Sequence, residues 1–587
     1  MELTRLRRVP QLLASQPRLY VQVAPARTKL AVLAAVNISL VLGVTAYARK
    51  NPEQRSPFRE PIAKQEKAEQ ALNRLTFGPR PGDVEHIEAI GLKKWIDLQL
   101  HPERIAENPV LDEKLRPLDS LTMSTADMLR NYPSPEMVRE MVQGRLAFPE
   151  DPDKRMMVHG LAVRLEKSGG QNAQAGAEPL AAILDAGQLR TWRTGTPREK
   201  YELFASLPQE RRDDLLMAVG QGVRLQLYGA APPDARRLIQ SAEGPQAMVA
   251  RDLMDAKLLR AVYSNRQLQE VLADFWYNHF NVFLEKGADR YLVTAYDRDT
   301  IRPHVLGKFE ELLRATAQSP AMLFYLDNWE SAGPQTLAGQ RRHLGLNENY
   351  ARELMELHTL GVNGGYTQKD VTEVARCFTG WTVREPRRAA AFAFNPRMHD
   401  DGEKIVLGVR IQAGGGIEDG YKVLDLLAHS PATAHHISYE LAVRFVADDP
   451  PTALVDRMAA TFLKRDGDLR AVMKTMFDSP EFWSRGAFRS KVKSPFELVA
   501  SALRAVDANL DFGLAVNHQL AQLGEPLYRK LEPTGYSNAG NQWLNSAGLL
   551  ARMNFSVALA ANKIPGVKMG IDSPDGVKLG APEFQKK

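Results

Sequence analysis

Four carboxylates at helical spacing and one histidine are the residues of this sequence best suited to chemistry. Glu353 and Glu356 are three residues apart, as are Asp370 and Glu373, so each pair lies on one side of a predicted helix. Paired carboxylates can bind a metal or share a proton. With His279 as a fifth ligand, the pattern indicates a site for a divalent or redox metal between helices.

The same positions also fit two other interpretations. As an enzyme centre, Glu353, Glu356, Arg352 and His279 are the candidate catalytic residues, and without a metal one carboxyl kept protonated by burial could donate to a substrate. As ordinary packing, the acids form helix ion pairs, and His279 in FWYNHFNVF is a hydrogen-bonded core residue among aromatic side chains. The ion pairs predicted in that case join Glu348 with Arg352, Arg352 with Glu356, and Glu373 with Arg376.

Two helices joined by a glycine turn must position the acids. Asn347 can cap the first helix, whose apolar residues Tyr350, Leu354 and Leu357 recur at the i, i+4, i+7 spacing of one buried face. Gly361 is predicted to end this helix. The strip that carries Glu353 and Glu356 flanks the buried face.

The second helix has its own start and stop signals. Thr367 and Asp370 fit a capping box, and Gly380 is predicted to end the helix. Its apolar stripe is Val371, Val374, Ala375 and Phe378. Because the connecting turn is short, the two helices should be antiparallel neighbours with their acidic strips facing each other.

This stretch also carries a family resemblance. NENYARELMELHTLGVNGGYTQKDVTEVARCFTGW resembles the signature of the bacterial family catalogued as domain of unknown function 1800. Shorter matching segments run from about Ala71 to Phe555, and they include FWYNHFNVF, MLFYLDNWES, HDDGEKIVLG and KSPFELVASALRA. The resemblance implies no activity, but it makes Asn278 and His279 motif residues. It also implies an exported partner protein similar to the sulfatase and alkaline phosphatase group.

Composition excludes several classes of function. The 76 basic and 70 acidic residues are largely interspersed, so the net charge of +6 is weak evidence for nucleic acid, and we expect no nucleic-acid partner. HExxH, GxSxG, Walker and Rossmann patterns are missing from the sequence, which argues against common hydrolases and nucleotide-using enzymes. Cys377 is the only cysteine, and we interpret it as a small buried hydrophobic residue rather than a nucleophile.

The N-terminus predicts export. Residues 1–29 form a basic leader, and residues 30–48 are uncharged and long enough to cross the inner membrane as a signal anchor. The triplet Ala46-Tyr47-Ala48 also fits a cleaved signal peptide. The body is therefore predicted to be periplasmic, either held by one membrane span or free in the periplasm or secreted after cleavage. Residues 49–67, which contain three prolines, are predicted to be a linker.

Helical periodicity dominates the rest of the chain. Residues 68–587 predict an all-α, bundle-like domain, with a helical insertion at 111–246 and a small β and loop insertion at 384–420. In the latter, residues 389–394 and 404–411 are predicted to pair as one hairpin with HDDGEK as its turn. His399 and Asp400 are expected in that exposed turn, although they could also ligate a metal.

Two functions remain open from the sequence. The first is an exported, metal-dependent enzyme centred on the acidic helix pair. The second is a non-catalytic cell-envelope scaffold or partner-binding protein, in which the acids and arginines form a structural polar network.

Overall fold

A computed structural model describes residues 56–167, 180–241, 244–342, 345–386, 390–571 and 579–587. The predicted basic leader and the predicted membrane segment at 30–48 lie outside these residues. Residues from Pro57 onward form one unit, and most of its regular structure is helical, as the sequence predicted. Within the described ranges, every helix is too short or too polar to cross a bilayer.

The described part of the predicted linker packs on the body. Pro57–Arg59 is a short 3-10 helix, Ile62 is buried, and its amide donates to the Trp483 carbonyl at 3.0 Å. The first α-helices follow directly because apolar residues such as Leu72 and Leu75 recur on one buried face. These helices are Glu66–Leu75, Asp83–Ile90 and Leu92–Leu100.

The region predicted as a helical insertion consists of short helices with a small core of their own. Trp192, Phe204 and Leu215 are buried in that core, and Phe512 from the C-terminal half completes it. Its α-helices are Pro109–Leu115, Thr125–Asn131, Pro135–Val142, Pro152–Lys167, Leu180–Ile183, Ala186–Thr194, Pro197–Ser206, Gln209–Ala218, Gln221–Ala230 and Pro233–Ser241. Most begin at Ser, Thr, Asp, Asn or Pro, the residues that start helices best.

The main core is built by longer helices on either side of the signature stretch. Trp276, Phe309 and Leu441 are among its fully buried residues. Before the signature lie the α-helices Pro245–Tyr263, Gln267–His279, Asp289–Ala295, Phe309–Gln318, Pro320–Tyr325 and Leu337–Arg342, with a π-helix at Tyr296–Ile301. After it lie Glu418–Ala428, Pro431–Phe445, Thr452–Lys464, Leu469–Phe477, Pro495–Ala505, Leu514–Gln522 and Ser546–Ala560.

The strands differ from the prediction. Instead of one hairpin turning at HDDGEK, β1 (Trp381–Arg384) pairs antiparallel with β2 (Ala391–Phe394), and β3 (Lys404–Val406) pairs antiparallel with β4 (Val409–Ile411). The tight turn Leu407-Gly408, at φ 50° and 79°, closes the second hairpin with the left-handed geometry that two-residue turns favour. A further short pair joins β5 (Asn509–Leu510) to β6 (Val567–Lys568).

Candidate functional site

The first arm of the signature hairpin changes its winding halfway along. An α-helix at Asn349–Glu353 continues as a π-helix at Leu354–Thr359, in which the Leu360 amide donates to the Met355 carbonyl at 2.9 Å. Because this π turn holds one residue more than an α turn, the next buried position comes one residue later in the sequence than α-helical spacing predicts. Tyr350 and Leu354 are buried as predicted, but His358 is buried where Leu357 was expected, and Leu357 is partly exposed.

Glu353 and Glu356 remain neighbours on this arm. Both are partly exposed. Burial and the nearby Glu356 carboxylate raise the pKa of Glu353 above its ordinary value, and Arg352 only partly opposes them. The Tyr366 hydroxyl donates to Glu356 at 3.4 Å. This pair comes closest to the coupled carboxylates that the sequence predicted.

Arg352 ties the two arms together. Its guanidinium donates to the Gln368 side-chain carbonyl at 2.9 Å and lies 3.5 Å from Glu348. Glu348 in turn accepts bonds from the side chains of Gln368 and Thr372, each at 2.7 Å. The predicted Glu348–Arg352 ion pair therefore forms, and it belongs to a clamp across the hairpin.

The second arm is the α-helix Gln368–Cys377, and its two acids bind backbone amides of the β insertion. Asp370 accepts from the Thr367 amide at 2.9 Å, which confirms the capping box, and from the Leu407 amide at 2.8 Å. Glu373 accepts from the Ile405 amide at 2.8 Å. Partial burial opposes the ionisation of Asp370, but its hydrogen bonds from Thr367 and Leu407 outweigh burial and lower the pKa of this carboxyl. Asp370 and Glu373 thus fix the β3–β4 hairpin against the helix.

Arg376 completes this contact. It forms the predicted ion pair with Glu373 at 2.9 Å, and its other edge makes two bonds to Asp400 at 2.9 and 3.0 Å. It also donates to the Glu403 carbonyl at 3.1 Å. All of its partners lie on the helix that carries it or in the β insertion, so Arg376 holds the two together.

His279 meets the hairpin, but through the backbone. Its Nε2–H donates to the His358 carbonyl at 3.2 Å, and the Nε2–H of His436 donates to the Leu357 carbonyl at the same distance. These are carbonyls at the end of the π turn, which the helix itself leaves without partners. Gly361, at φ 80°, allows the approach, because a side chain there would place its Cβ 3.0 Å from His436 Nδ1.

The three imidazoles are neutral near pH 7. Burial is the main cause, and the neighbouring imidazoles add to it: together they hold the pKa of His279 well below its ordinary value and lower the pKa of His358 to about 3. Burial also lowers the pKa of His436. His358 Nε2 is buried without a hydrogen-bond partner. Sequence reasoning missed His358 and His436. The signal for His358 was its place in the signature itself, next to the predicted buried face.

The five predicted metal ligands do not converge in the described structure. Glu353 and Glu356 lie on the first arm, Asp370 and Glu373 bind the β insertion, and His279 caps the π turn. Within the described ranges, one group of three residues brings its possible metal-ligand atoms within 4.8 Å of one another. It consists of Glu310, Asp425 and His429, lies on other helices and is largely exposed.

His399 and Asp400 are not in an exposed turn. His399 is buried, its Nδ1 lies 2.8 Å from the Thr379 carbonyl, and its Nε2 lies 3.3 Å from Asp419. The Lys404 ammonium lies 2.6 Å from the Asp419 carboxylate, and the side chains of His399, Lys404 and Asp419 are inaccessible to solvent. Cys377 is buried beside them, as predicted, and burial raises the pKa of its thiol to about 12.

A buried charge cluster at the centre of the main core was also missed. Asp274 accepts from Lys257 at 2.7 Å and from Arg444 at 3.3 Å, while Arg444 and Lys587 both pair with Glu497. Although burial opposes ionisation, Arg444 and Lys587 hold the pKa of Glu497 well below its ordinary value. The available signal was a charged residue inside an apolar run, as Asp274 is between Leu272 and Phe275.

Comparison with known proteins gives a family but no function. The family described as "Protein of unknown function (DUF1800)" matches residues 70–583, which include the signature hairpin, the helices that carry the charge cluster and both β hairpins. No curated protein and no solved structure matches the chain. Since the match covers nearly all of the sequence, the chain belongs to the DUF1800 family.

Proposed function

We propose that this protein is a non-catalytic scaffold or partner-binding protein of the cell envelope. In this proposal the acids and arginines of the signature hairpin form a structural polar network. They fix the β insertion on the helical body and keep the hairpin in register. The hairpin then specifies the shape of the molecule.

One observation carries this proposal: the acids of the second arm already have partners. Asp370 accepts two backbone amides and the Thr367 hydroxyl, and Glu373 accepts the Ile405 amide and the Arg376 guanidinium. A metal would have to replace these bonds and leave the amides of β3 and its turn unpaired. These amides are exposed or partly buried, and losing such a hydrogen bond costs on the order of 0.5–1.5 kcal/mol, so the structural arrangement is favoured.

Placement in the envelope is supported by the sequence. Residues 30–48 are uncharged and follow a basic leader, which favours an inner-membrane anchor with a periplasmic body. Removal of that segment at Ala48 would give a periplasmic or secreted body instead. Immunoblotting of membrane and periplasmic fractions, with the size of the mature chain, distinguishes the two.

Metal analysis of the purified protein tests the scaffold. We expect metal well below one equivalent. Glu373→Gln should lower stability, Glu353→Gln and Glu356→Gln should change it little, and none of the three should change metal content. Mass spectrometry of the metal content and thermal unfolding measure the two quantities. One equivalent of a divalent metal that is lost in these variants would overturn the proposal.

A second candidate function is favoured by Glu353. Burial and the neighbouring Glu356 carboxylate raise the pKa of Glu353, which favours retention of a proton on that carboxyl. A proton-transfer enzyme centred on this pair is therefore the alternative. It predicts that Glu353→Gln and Glu356→Gln abolish an activity with little change in the unfolding temperature, whereas under the scaffold proposal there is no activity for these variants to lose.

A further inference from the structure

A cavity of about 770 Å³ lies where the helical insertion meets the main body. Its lining comes from helix Pro135–Val142 of the insertion and, in the main body, from the segment around Tyr291. Gln246 and Arg290 also line a second cavity of about 420 Å³, so the two cavities adjoin. The volume of the larger cavity suits a small organic ligand.

A stacked aromatic pair forms one wall of the larger cavity. The rings of Phe324 and Trp329 have centroids 5.5 Å apart and planes inclined by 20°. Both side chains remain partly exposed. A stacked pair that is open to a cavity offers a ring face on which a further aromatic ring can stack.

Contacts next to this aromatic pair fix its position. Lys286 donates to the Tyr325 carbonyl at 2.6 Å and pairs with the Asp327 carboxylate at 2.6 Å. Gly287, at φ 48°, lies against the Phe324 ring, because a Cβ there would come within 3.1 Å of a ring carbon. The wall is therefore already formed without a ligand, which lowers the cost of binding one.

Apolar side chains continue the wall. Tyr291 contributes its ring, and its hydroxyl already donates to the Tyr132 carbonyl at 2.8 Å, so this hydroxyl needs no partner from a ligand. Met137 adds a thioether, a group that makes favourable contacts with aromatic rings. The other apolar side chains of the lining are Leu129, Leu146, Ala288 and Pro386. Together they favour a hydrophobic ring system.

The charged residues of this lining balance one another. They are two acids and two arginines, namely Glu136, Glu140, Arg145 and Arg290. Outside this lining, Glu285 lies 3.5 Å from Arg290 and 2.7 Å from Arg529. Equal numbers of both signs give no net attraction for an anion or a cation, and either ion would lose hydration on entry. The charges therefore favour an uncharged ligand.

We infer that the larger cavity binds an uncharged, flat aromatic molecule. The ring of the ligand stacks on the open side of the Phe324–Trp329 pair, and its edges contact Tyr291 and Met137. This inference goes beyond the proposed scaffold function and does not depend on it, because the signature hairpin contributes no residue to this lining.

Isothermal titration calorimetry of the full-length protein with naphthalen-2-ylmethanol tests the inference. We expect this alcohol to bind one to one. Its saturated counterpart, (decahydronaphthalen-2-yl)methanol, has the same skeleton but no aromatic face, and it should bind about threefold more weakly or worse, since stacking changes affinity by a few-fold to about tenfold.

Two charged probes test the second half of the inference. Naphthalene-2-carboxylate and naphthalen-2-ylmethylammonium carry one charge of either sign on the same ring system. Both should bind more weakly than the uncharged alcohol, because the lining compensates neither charge. Tighter binding of either ion would show that the ligand is not an uncharged molecule.

Three variants locate the site. Trp329→Leu and Phe324→Leu each remove one ring of the pair, so each should weaken binding of the naphthyl alcohol about threefold or more. Trp543→Leu is the matched control, because Trp543 is also partly exposed and its ring centroid lies 6.1 Å from that of Tyr536, but it lies outside this lining. It should leave the affinity unchanged.

The comparison of the two alcohols on the natural protein needs no variant, so it decides even where a substitution prevents folding. No binding of the naphthyl alcohol, equal binding of the two alcohols, or an unchanged affinity in both folded variants of the aromatic pair would overturn the inference.

Discussion

The signature hairpin and the groove beside the insertion differ in how their charges are matched. In the hairpin, Glu373, Asp400 and Arg376 are matched to each other and to backbone amides. In the groove, which consists of the two cavities that Gln246 and Arg290 both line, Arg290 and Arg529 share the carboxylate of Glu285. The hairpin is the most motif-like part of the sequence, whereas the groove has no motif. A recognisable pattern of charged residues can therefore specify a fold, and a cavity can form without one.

The strongest test of this contrast is Arg376→Met. Glu373 and Asp400 are poorly exposed to solvent, and in this variant both lose the cation that pairs with them. We therefore expect the free energy of unfolding to fall by about 2–3 kcal/mol, somewhat less than the cost of breaking a fully buried ion pair. Urea unfolding followed by circular dichroism measures the loss. Arg198→Ala, which breaks the exposed Arg198–Glu202 pair, should cost less than about 0.5 kcal/mol. Equal losses would mean that Arg376 has no structural role.

Asp255→Asn tests the groove side, where the buried Asp255 carboxyl accepts from the side chain of Asn517 in the lining, and it should act in the opposite direction. The unfolded chain releases this proton near pH 4 but the folded protein retains it to about pH 7, so stability falls as the pH rises through that range. Asn does not ionise. We therefore expect the variant to gain about 1–2 kcal/mol over the natural protein at pH 8, and to show little difference at pH 4. A difference that is independent of pH would contradict this prediction.

Asp370→Ala tests the opposite sign of pH dependence in the hairpin. The pKa of Asp370 is lowered in the folded protein, so its stabilisation is fully present above the ordinary pKa of 3.8 and is lost as the pH falls below it. Loss of the capping box and of the Leu407 bond should cost about 1 kcal/mol at pH 7. The cost should shrink below pH 3 in parallel unfolding measurements. If it persists there, the carboxylate charge is not responsible.

Glu353→Gln should have the smallest effect. The raised pKa of Glu353 means that its ionisation weakens the folded protein as the pH rises above 4.5, and solvent screening limits the effect at a partly exposed site. We expect a gain of a few tenths of a kcal/mol at pH 7 in thermal unfolding. A loss of more than about 1 kcal/mol would show that the Glu353 carboxylate is a required structural group.

Local signals in the sequence predicted the second helix of the hairpin and its capping box, whereas the N-cap of the first helix is Glu348 rather than the predicted Asn347. Thr367 with Asp370 forms the predicted capping box, and Val371, Val374, Ala375 and Phe378 are all buried. The failures came where long-range contacts override local pattern. The π turn moved His358 into the core in place of Leu357, and β2 pairs with β1, which begins at Trp381 before the predicted insertion, rather than with β3.

The candidate sites were predictable to a smaller extent. The Glu348–Arg352 and Glu373–Arg376 pairs follow from spacing alone, because both members of each pair lie on one helix. The further partners of Asp370 and Glu373, and the partner of His279, are backbone groups of segments far along the chain or on another helix. Residue type gives no sign of such partners. The groove was not predictable for the same reason, since it joins residues from Leu129 to Arg529.

The π turn at Leu354–Thr359 also shows where this chain can change in length. The turn holds one residue more than ordinary α winding needs, and that extra residue places His358 where Leu357 was expected. Deleting one residue of the turn before His358 would therefore restore ordinary winding, leave His358 in the core and keep Gly361 beneath His436. Relatives of this protein should therefore tolerate the loss of one residue in the turn, as well as gaps in the exposed connection around Val362 and Asn363.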